Sequence, residues 1–518
     1  MASANFESLN FMALTPLDLA IVGLYLVGIT LFGLRFRTGE KSLKSYFLAE
    51  RTVPWWAISL SIVSAETSTL TIISIPGLAY DTNFNFLQVV FGYLVARIVI
   101  TAIFLPAYFQ GELFTAYQLI DRRFGHRLHK FTSGMFLVTR AVAEGVRVFA
   151  ISIVVNIAIE RYLLRYMSAH TTVIASIALV VVLTLIYTFE GGMTAVIWTD
   201  VVQMGIYITG TIIGFITILH LVPGGWPAIH ETASAAGKFQ IFDFVPSLTK
   251  TFNFWAGLIG GTFLTTASHG TDQLMVQRLL CARSQRESKL ALLSSGVAIL
   301  FQFTLFLLVG AALWVFYKMA PPAVPFGRSD RIFPIFIVSQ MPMGIAGVLI
   351  AAILAAAMSN LSAALNSLSS TTVIDFYLRL RPDATEQQRL GVSRGGTIVW
   401  GIILFGLAIV TQFGGQRVLE LGLTIASVPY GGLLGVFLLG VLTKRANETG
   451  AIIGMVCGLV VNLFLWLGPK FGLMTTVVAW TWYVTIGTTL TFVIGYFASM
   501  LFKSSAVQSG PLEVTARV

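Results

Sequence analysis

The 518-residue sequence predicts an all-α polytopic membrane protein of about 13 transmembrane helices. Three observations carry that prediction. The chain is 56% hydrophobic and only 11% charged, against roughly 25% charged in an ordinary soluble domain. Apolar runs near the ~20 residues that cross a ~30 Å hydrocarbon layer recur along its whole length. The charged residues fall mainly between those runs.

The first run, 15–35, follows 14 residues without Lys or Arg, so it lacks the basic start of a cleaved signal peptide and is expected to remain as a peripheral first helix behind an extracellular segment, 1–14. The second, 54–80, contains SIVSAETSTLTIISIPG from Ser61 to Gly77. Runs at 86–109, 131–160, 172–189 and 193–221 follow, and the seventh, 252–278, contains GLIGGTFLTTASHGTDQ from Gly257 to Gln273. The rest lie at 290–317, 346–377, 395–413, 418–442, 449–468 and 475–502, ahead of a cytoplasmic tail, 503–518. Two long external connections, 222–251 and 318–345, have room for short surface helices. No linker divides the chain, so one membrane domain is expected.

The second and seventh runs mix Ser, Thr, Gly and an acidic residue at mid-membrane depth, where free backbone groups are costly unless they line a cavity. They are five helices apart. Interrupted helices in matching places mark the substrate and ion site of an inverted-repeat transporter. The repeats would be 54–221 and 252–442, with peripheral helices at 449–502.

The net charge of +10 is a topology signal, and no nucleic-acid partner follows from it. With alternate loops assigned to one side, that side holds 21 of the 33 Lys and Arg, among them Arg122, Arg123, Arg278, Arg283, Arg379 and Arg381. The positive-inside rule makes that side cytoplasmic, with the N-terminus outside and the C-terminus inside. Cys281 and Cys457 sit on separate elements without metal spacing. No nucleophile–base set and no phosphate-binding glycine loop appears, so neither an enzyme nor an ATP-driven pump is indicated.

The ninth run holds a stripe of polar groups. Ser359, Ser362, Asn366 and Ser370 are spaced 3, 4 and 4, on one helical face. Hydroxyls and amides serve close packing in membrane helices, but a whole stripe opposite a broken helix also suits a hard cation that takes oxygen ligands.

AAAMSNLSAALNS (355–367) followed by TTVIDFY, GGMTAVIWTDVVQ (191–203), DQLMVQRLL (272–280), and YFLAERTVPWW leading to IPG together resemble the sodium/solute symporters of the LeuT-type inverted-repeat fold. The resemblance covers roughly residues 10–500. It implies a 5+5 inverted-repeat core with one helix before and two after. It also implies Na+ as coupling ion, held by the carbonyls of Ser64, Thr67 and Ala356 with the side chains of Ser359 and Asn360. The family more often has Ser or Thr at the place of Asn360. Some members add a second sodium site, for which Asp200, Ser359 and Ser362 match while Ala363 replaces a hydroxyl; Asp200 could equally accept a bond from a neighbouring helix.

Arg140, Glu144 and Arg147 share one helical face, as a salt-bridge cluster or as a receptor for a solute carboxylate. Asp272 stands where sugar-transporting relatives have an asparagine, and Leu423 and Thr424 lack their glutamine. The expectation is a sodium-coupled symporter importing a small carboxylate or zwitterion, such as an amino acid or monocarboxylate. The solute residues would be Glu66, Ser68, Thr71, Gln88, Arg140, Glu144 and Asp272. The expected partners are the solute, sodium and the lipid bilayer of a bacterial plasma membrane, with no obligate protein partner evident. The alternatives are a sodium/sugar symporter of the same fold, a proton-coupled carrier and an ion channel.

Overall fold

In the computed structural model, which describes residues 14–36, 42–111, 113–322, 326–411 and 418–502, every extended regular element is helical. The predicted segments 1–14 (apart from Leu14) and 503–518 lie outside the described residues. Helix α1 (Pro16–Leu34) starts at a reciprocal cap between Thr15 and Asp18. Asp18 also accepts the backbone N–H groups of Gly344 and Gly347 at 2.7 and 2.8 Å, which ties α1 to the start of the ninth predicted helix. The short α2 (Leu43–Leu48) leads into α3 (Trp55–Glu66) and α4 (Thr69–Asp81), which meet at a 61° bend. Thr67 and Ser68 are extended at that bend (ψ 94° and 170°). Ser68 and Thr71 form a capping box that restarts the helix.

Next come α5 (Leu87–Tyr108), the short α6 (Tyr117–Phe124) and α7 (His126–Leu163). The fifth and sixth predicted runs join as α8 (Ala169–Leu221), kinked at Gly192, whose φ of 51° and ψ of −154° suit glycine. The two long connections predicted to be external carry α9 (Gly225–Ala235) and, later, α13 (Ile332–Gln340).

The seventh run passes through a π-helical turn (Ala256–Gly260) into α10 (Gly261–Gly270), breaks at Thr271–Asp272, and resumes as α11 (Gln273–Leu280). Its glycines have a second purpose that composition did not show. A Cβ on Gly257 would lie 2.6 Å from the backbone of Gln88, and one on Gly92 would lie 2.5 Å from the carbonyl oxygen of Gly257. Bare backbone is what lets α5 lie against the π turn. Then follow α12 (Gln285–Met319) and α14 (Ile345–Thr371), the latter running through a second π turn (Thr372–Tyr377) into α15 (Leu378–Leu380). The chain closes with α16 (Glu386–Thr411), α17 (Val418–Leu442), α18 (Glu448–Leu467) and α19 (Tyr483–Leu501).

Nine helices among the described residues are long and apolar enough to cross a membrane, ten if the bent α3–α4 pair is one span. Helix α7 is longer than most of them but carries Arg140, Glu144 and Arg147 in its middle. Helix α14 is buried nearly end to end, flanked by α1, α7, α8 and α16, so its polar side chains meet protein and not lipid. One basic residue counted above with the loops is inside: Arg278 on α11 is fully buried.

Helix α4 touches α12 through backbone. A methyl group on Gly310 would fall almost on the Pro76 carbonyl and 2.8 Å from the Ala79 Cβ. Overpacking of that kind costs roughly 1–3 kcal/mol, so Gly310→Ala is expected to lower the melting temperature of the detergent-purified protein. A melting curve identical to that of the parent would show that the contact yields freely.

Candidate functional site

The break between α3 and α4 exposes carbonyls that a continuous helix would use. They point at α14. The side-chain NH2 of Asn360 donates to the carbonyl oxygens of Ser64 (3.2 Å), Thr67 (2.9 Å) and, on its own helix, Ala356 (3.2 Å). Three carbonyls therefore converge within 3.2 Å of one nitrogen, in a site with almost no solvent exposure. Ser359 stands beside it, its hydroxyl 2.8 Å from that of Ser64. All five residues that the resemblance implied for the first sodium site are thus brought together. The donor set of carbonyls, hydroxyls and one amide fits a hard monovalent cation.

Behind this cage lies a charge. The Ser359 hydroxyl donates to Asp200 Oδ1 at 2.6 Å, and Asp200 Oδ2 accepts from Ser61 (2.5 Å) and Arg278 Nη2 (2.8 Å), both Asp200 and Arg278 being fully buried. A hydroxyl that spends its proton on a carboxylate keeps its lone pairs for the cage, so Asp200 orients Ser359 as an outer partner orients a metal ligand. The side chains named for a possible second sodium site have other protein partners as well. Asp200 is engaged by Arg278, and the Ser362 hydroxyl turns back onto the Ser359 carbonyl at 2.9 Å. A guanidinium on the carboxylate that would hold the ion opposes a second cation there.

The lower part of the α14 stripe is structural. Asn366 Oδ1 accepts from Gln277 Nε2 (2.7 Å), Ser370 donates to Gln277 Oε1 (3.3 Å), and Ser369 donates to the Ser393 carbonyl (2.6 Å). These bonds fasten α14 to α11 and α16.

A cavity opens on the other side of the α3–α4 break. Glu66, Ser68 and Thr71 line it from the break, Tyr93 from α5, Arg140 and Arg147 from α7, Ser268 and His269 from α10, and Leu423 and Tyr430 from α17. Glu66 is bound by Arg97 and lies 3.3 Å from His269 Nε2. Arg140 is paired with Asp272, which also accepts from the Tyr430 hydroxyl (2.6 Å) and caps α11 at the Leu274 N–H (3.0 Å). Arg140 nonetheless keeps a buried Nε without a protein partner. Arg147 is 25% exposed and serves Glu144 at 3.1 Å.

Three sequence-predicted solute residues are not in the wall. Gln88 is spent on loop backbone, where its Oε1 accepts the Asp243 N–H at 2.9 Å and its Nε2 donates to the Asn85 carbonyl; the Lys250 ammonium beside Asp243 holds that carboxyl below its ordinary value. Glu144 is buried behind Arg140 and Arg147, and Asp272 is consumed by Arg140, Tyr430 and the helix end. Tyr93, His269 and Tyr430 were missed, because their relevance depends on which helices become neighbours. Gln302 was missed for the same reason: it donates from α12 to the Thr67 hydroxyl at the break.

Away from this centre, Asp121, His126 and His129 come close enough to suggest a metal. The Arg379 guanidinium bonds both Asp121 and His126 there, so the cluster already holds a cation.

A profile described as the sodium:solute symporter family matches residues 46–458. The chain belongs to this family. The symporter is 30% identical to the sodium/sialic acid symporter SiaT of Proteus mirabilis, over 83% of this chain and 86% of that one. It is 28% identical to the sodium/sialic acid symporter NanT of Aliivibrio fischeri, over 91% of each. It superposes on a solved Na+-coupled sialic acid symporter in a substrate-bound outward-open state with a TM-score of 0.83 and 28% identity, covering 94% of this chain and 98% of the other. The protein is a sodium-coupled membrane symporter that binds sodium and a small solute, and its relatives are transporters.

Proposed function

We propose that this symporter imports a carboxylated solute by alternating access, with sodium bound in the Ser64–Thr67–Ala356–Ser359–Asn360 cage and the solute in the cavity beside it. One observation carries the proposal: a single five-residue stretch serves both places. Ser64 and Thr67 turn their carbonyls to the cage, while Glu66 and Ser68 turn their side chains to the cavity. An ion that orders this stretch also orders the cavity wall.

Sodium joins α3 to α14 through these ligands, and Asp200 with Arg278 fixes the Ser359 rotamer behind it. In the cavity, Arg140 offers its unpartnered Nε to a carboxylate, and Ser68 and Thr71 offer hydroxyls to the polar part of the solute. Tyr93, Leu423 and the neighbouring apolar groups close the remaining wall. Each inward sodium charge gains about 2.3 kcal/mol per 100 mV of membrane potential. The thirteen-span topology, the 54–221 and 252–442 repeats, the outside N-terminus and a bacterial inner-membrane location belong to the same proposal.

The solute assignment moves from an amino acid or simple monocarboxylate towards a sialic acid, an acidic sugar whose carboxylate suits Arg140 and whose hydroxyls suit Ser68 and Thr71. The relatives' substrates support this choice. Asp272 does not oppose it, since it is taken up by Arg140 and Tyr430. A thermal-shift screen of a sialic acid, pyruvate, a zwitterionic amino acid and a neutral sugar, each in sodium and in choline, tests the proposal. Binding to the folded state stabilises it by about 2.7 kcal/mol at a hundredfold excess over Kd. The sialic acid is expected to raise the melting temperature in sodium and much less in choline. An equal shift by the neutral sugar would refute the carboxylate assignment.

A further inference from the structure

The Asn360 amide stands at the centre of the cage, and both of its ends bear on what the cage can hold. The side-chain NH2 stands among three carbonyl oxygens, and it has two protons for three acceptors. Its other end, Oδ1, is buried with no protein partner. Each half of the amide is thus incompletely matched. An amide oxygen could not face those carbonyls by itself, because four oxygens would then meet without a positive charge between them. With a cation among them the preference reverses: the carbonyls and Oδ1 all become ligands.

We propose that Asn360 is a reversible occupant of the cation cage and thereby sets this symporter's sodium affinity. Its NH2 group holds the Ser64, Thr67 and Ala356 carbonyls in competition with the ion, and a half-turn about the terminal side-chain torsion presents Oδ1 to sodium. That torsion is broad and roughly two-fold in asparagine, so the turn needs no backbone movement. The proton donors and the ion require the same lone pairs, so the two arrangements exclude each other. The amide also spans α3 and α14, since two of its acceptors lie at the α3 end and one on α14. The helices therefore stay joined by protein hydrogen bonds when sodium does not join them. Sodium must displace those bonds, which raises the concentration needed to fill the site. Serine or threonine at this position is too short to place a donor among all three carbonyls and would act only as a ligand.

The inference rests on the cage being the sodium site, and the experiment separates the two claims. The purified full-length protein is melted in choline chloride and through a sodium titration, for the parent, Asn360→Ser and Ser359→Ala. Asn360→Ser is expected to melt a few degrees lower in choline and to reach half of its sodium-induced shift at about thirtyfold lower sodium, because the two hydrogen bonds that the amide protons make no longer compete with the ion. Ser359→Ala is expected to require more sodium than the parent. If Ser359→Ala behaves so while Asn360→Ser also requires more sodium, or is unchanged in choline, the amide is a ligand only and the proposal is overturned. If neither variant alters the titration, the cage assignment and the proposal fall together. Should Asn360→Ser give no monodisperse protein, Asn360→Thr is read by the same criteria.

Discussion

Ser359→Ala is expected to raise the sodium concentration for half-maximal uptake by about tenfold or more, since metal sites lose 10–100-fold in affinity even when only an outer partner is removed. Ser359 has more than one connection. It accepts from Ser64 at 2.8 Å and donates to Asp200 at 2.6 Å. Alanine removes a proposed ligand and also leaves one carboxylate oxygen of a buried aspartate without its hydroxyl. Arg278 and Ser61 still hold the other oxygen, so the fold is expected to survive and the defect to appear in ion affinity. Counterflow or uptake in proteoliposomes across a sodium series measures it. Unchanged sodium dependence would remove Ser359 from the site.

The second large effect concerns Arg140. Arg140→Lys keeps a positive charge opposite Asp272 and so avoids the cost of stranding a buried carboxylate, about 3–5 kcal/mol when one partner of a buried pair is deleted. What lysine lacks is the planar fork and its Nε–H. Uptake of a carboxylated solute is therefore expected to fall by about tenfold or more in apparent affinity, while sodium-induced stabilisation is retained. A variant that takes up the acidic solute like the parent would assign Arg140 to the Asp272 pairing alone. The same substitution at Arg147, which also lines the cavity but serves Glu144, shows whether the second arginine shares in holding the carboxylate.

Much of the architecture was legible because the lipid layer imposes length and hydropathy on each helix. The α3–α4 break was legible too: SAETST is a poor sequence for an apolar helix, and the chain uses it as an interruption at Thr67–Ser68. The cage followed from family motifs placed on that break. The cavity wall was harder, since a polar residue inside a membrane protein has several ways to be satisfied and the sequence does not say which neighbour satisfies it. Gln88 went to a loop backbone, Asp272 to an arginine and a helix end, and Asp200 to Arg278, 78 residues away along the chain. His269 and Tyr430 carried no local signal, because each matters only through a helix far off in sequence.

The glycine contacts of α4 and α5 bear on how such a protein moves. Where the Pro76 carbonyl meets Gly310 and the Gly257 carbonyl meets Gly92, backbone lies against backbone, although Tyr80 still packs on Tyr317 further along the first contact. Interdigitated side chains act as teeth that must disengage before two helices slide, and each disengagement forfeits dispersion contacts. Smooth backbone has no teeth. At those two points α4 and α5, which both border the solute cavity, meet their neighbours with few such teeth to disengage.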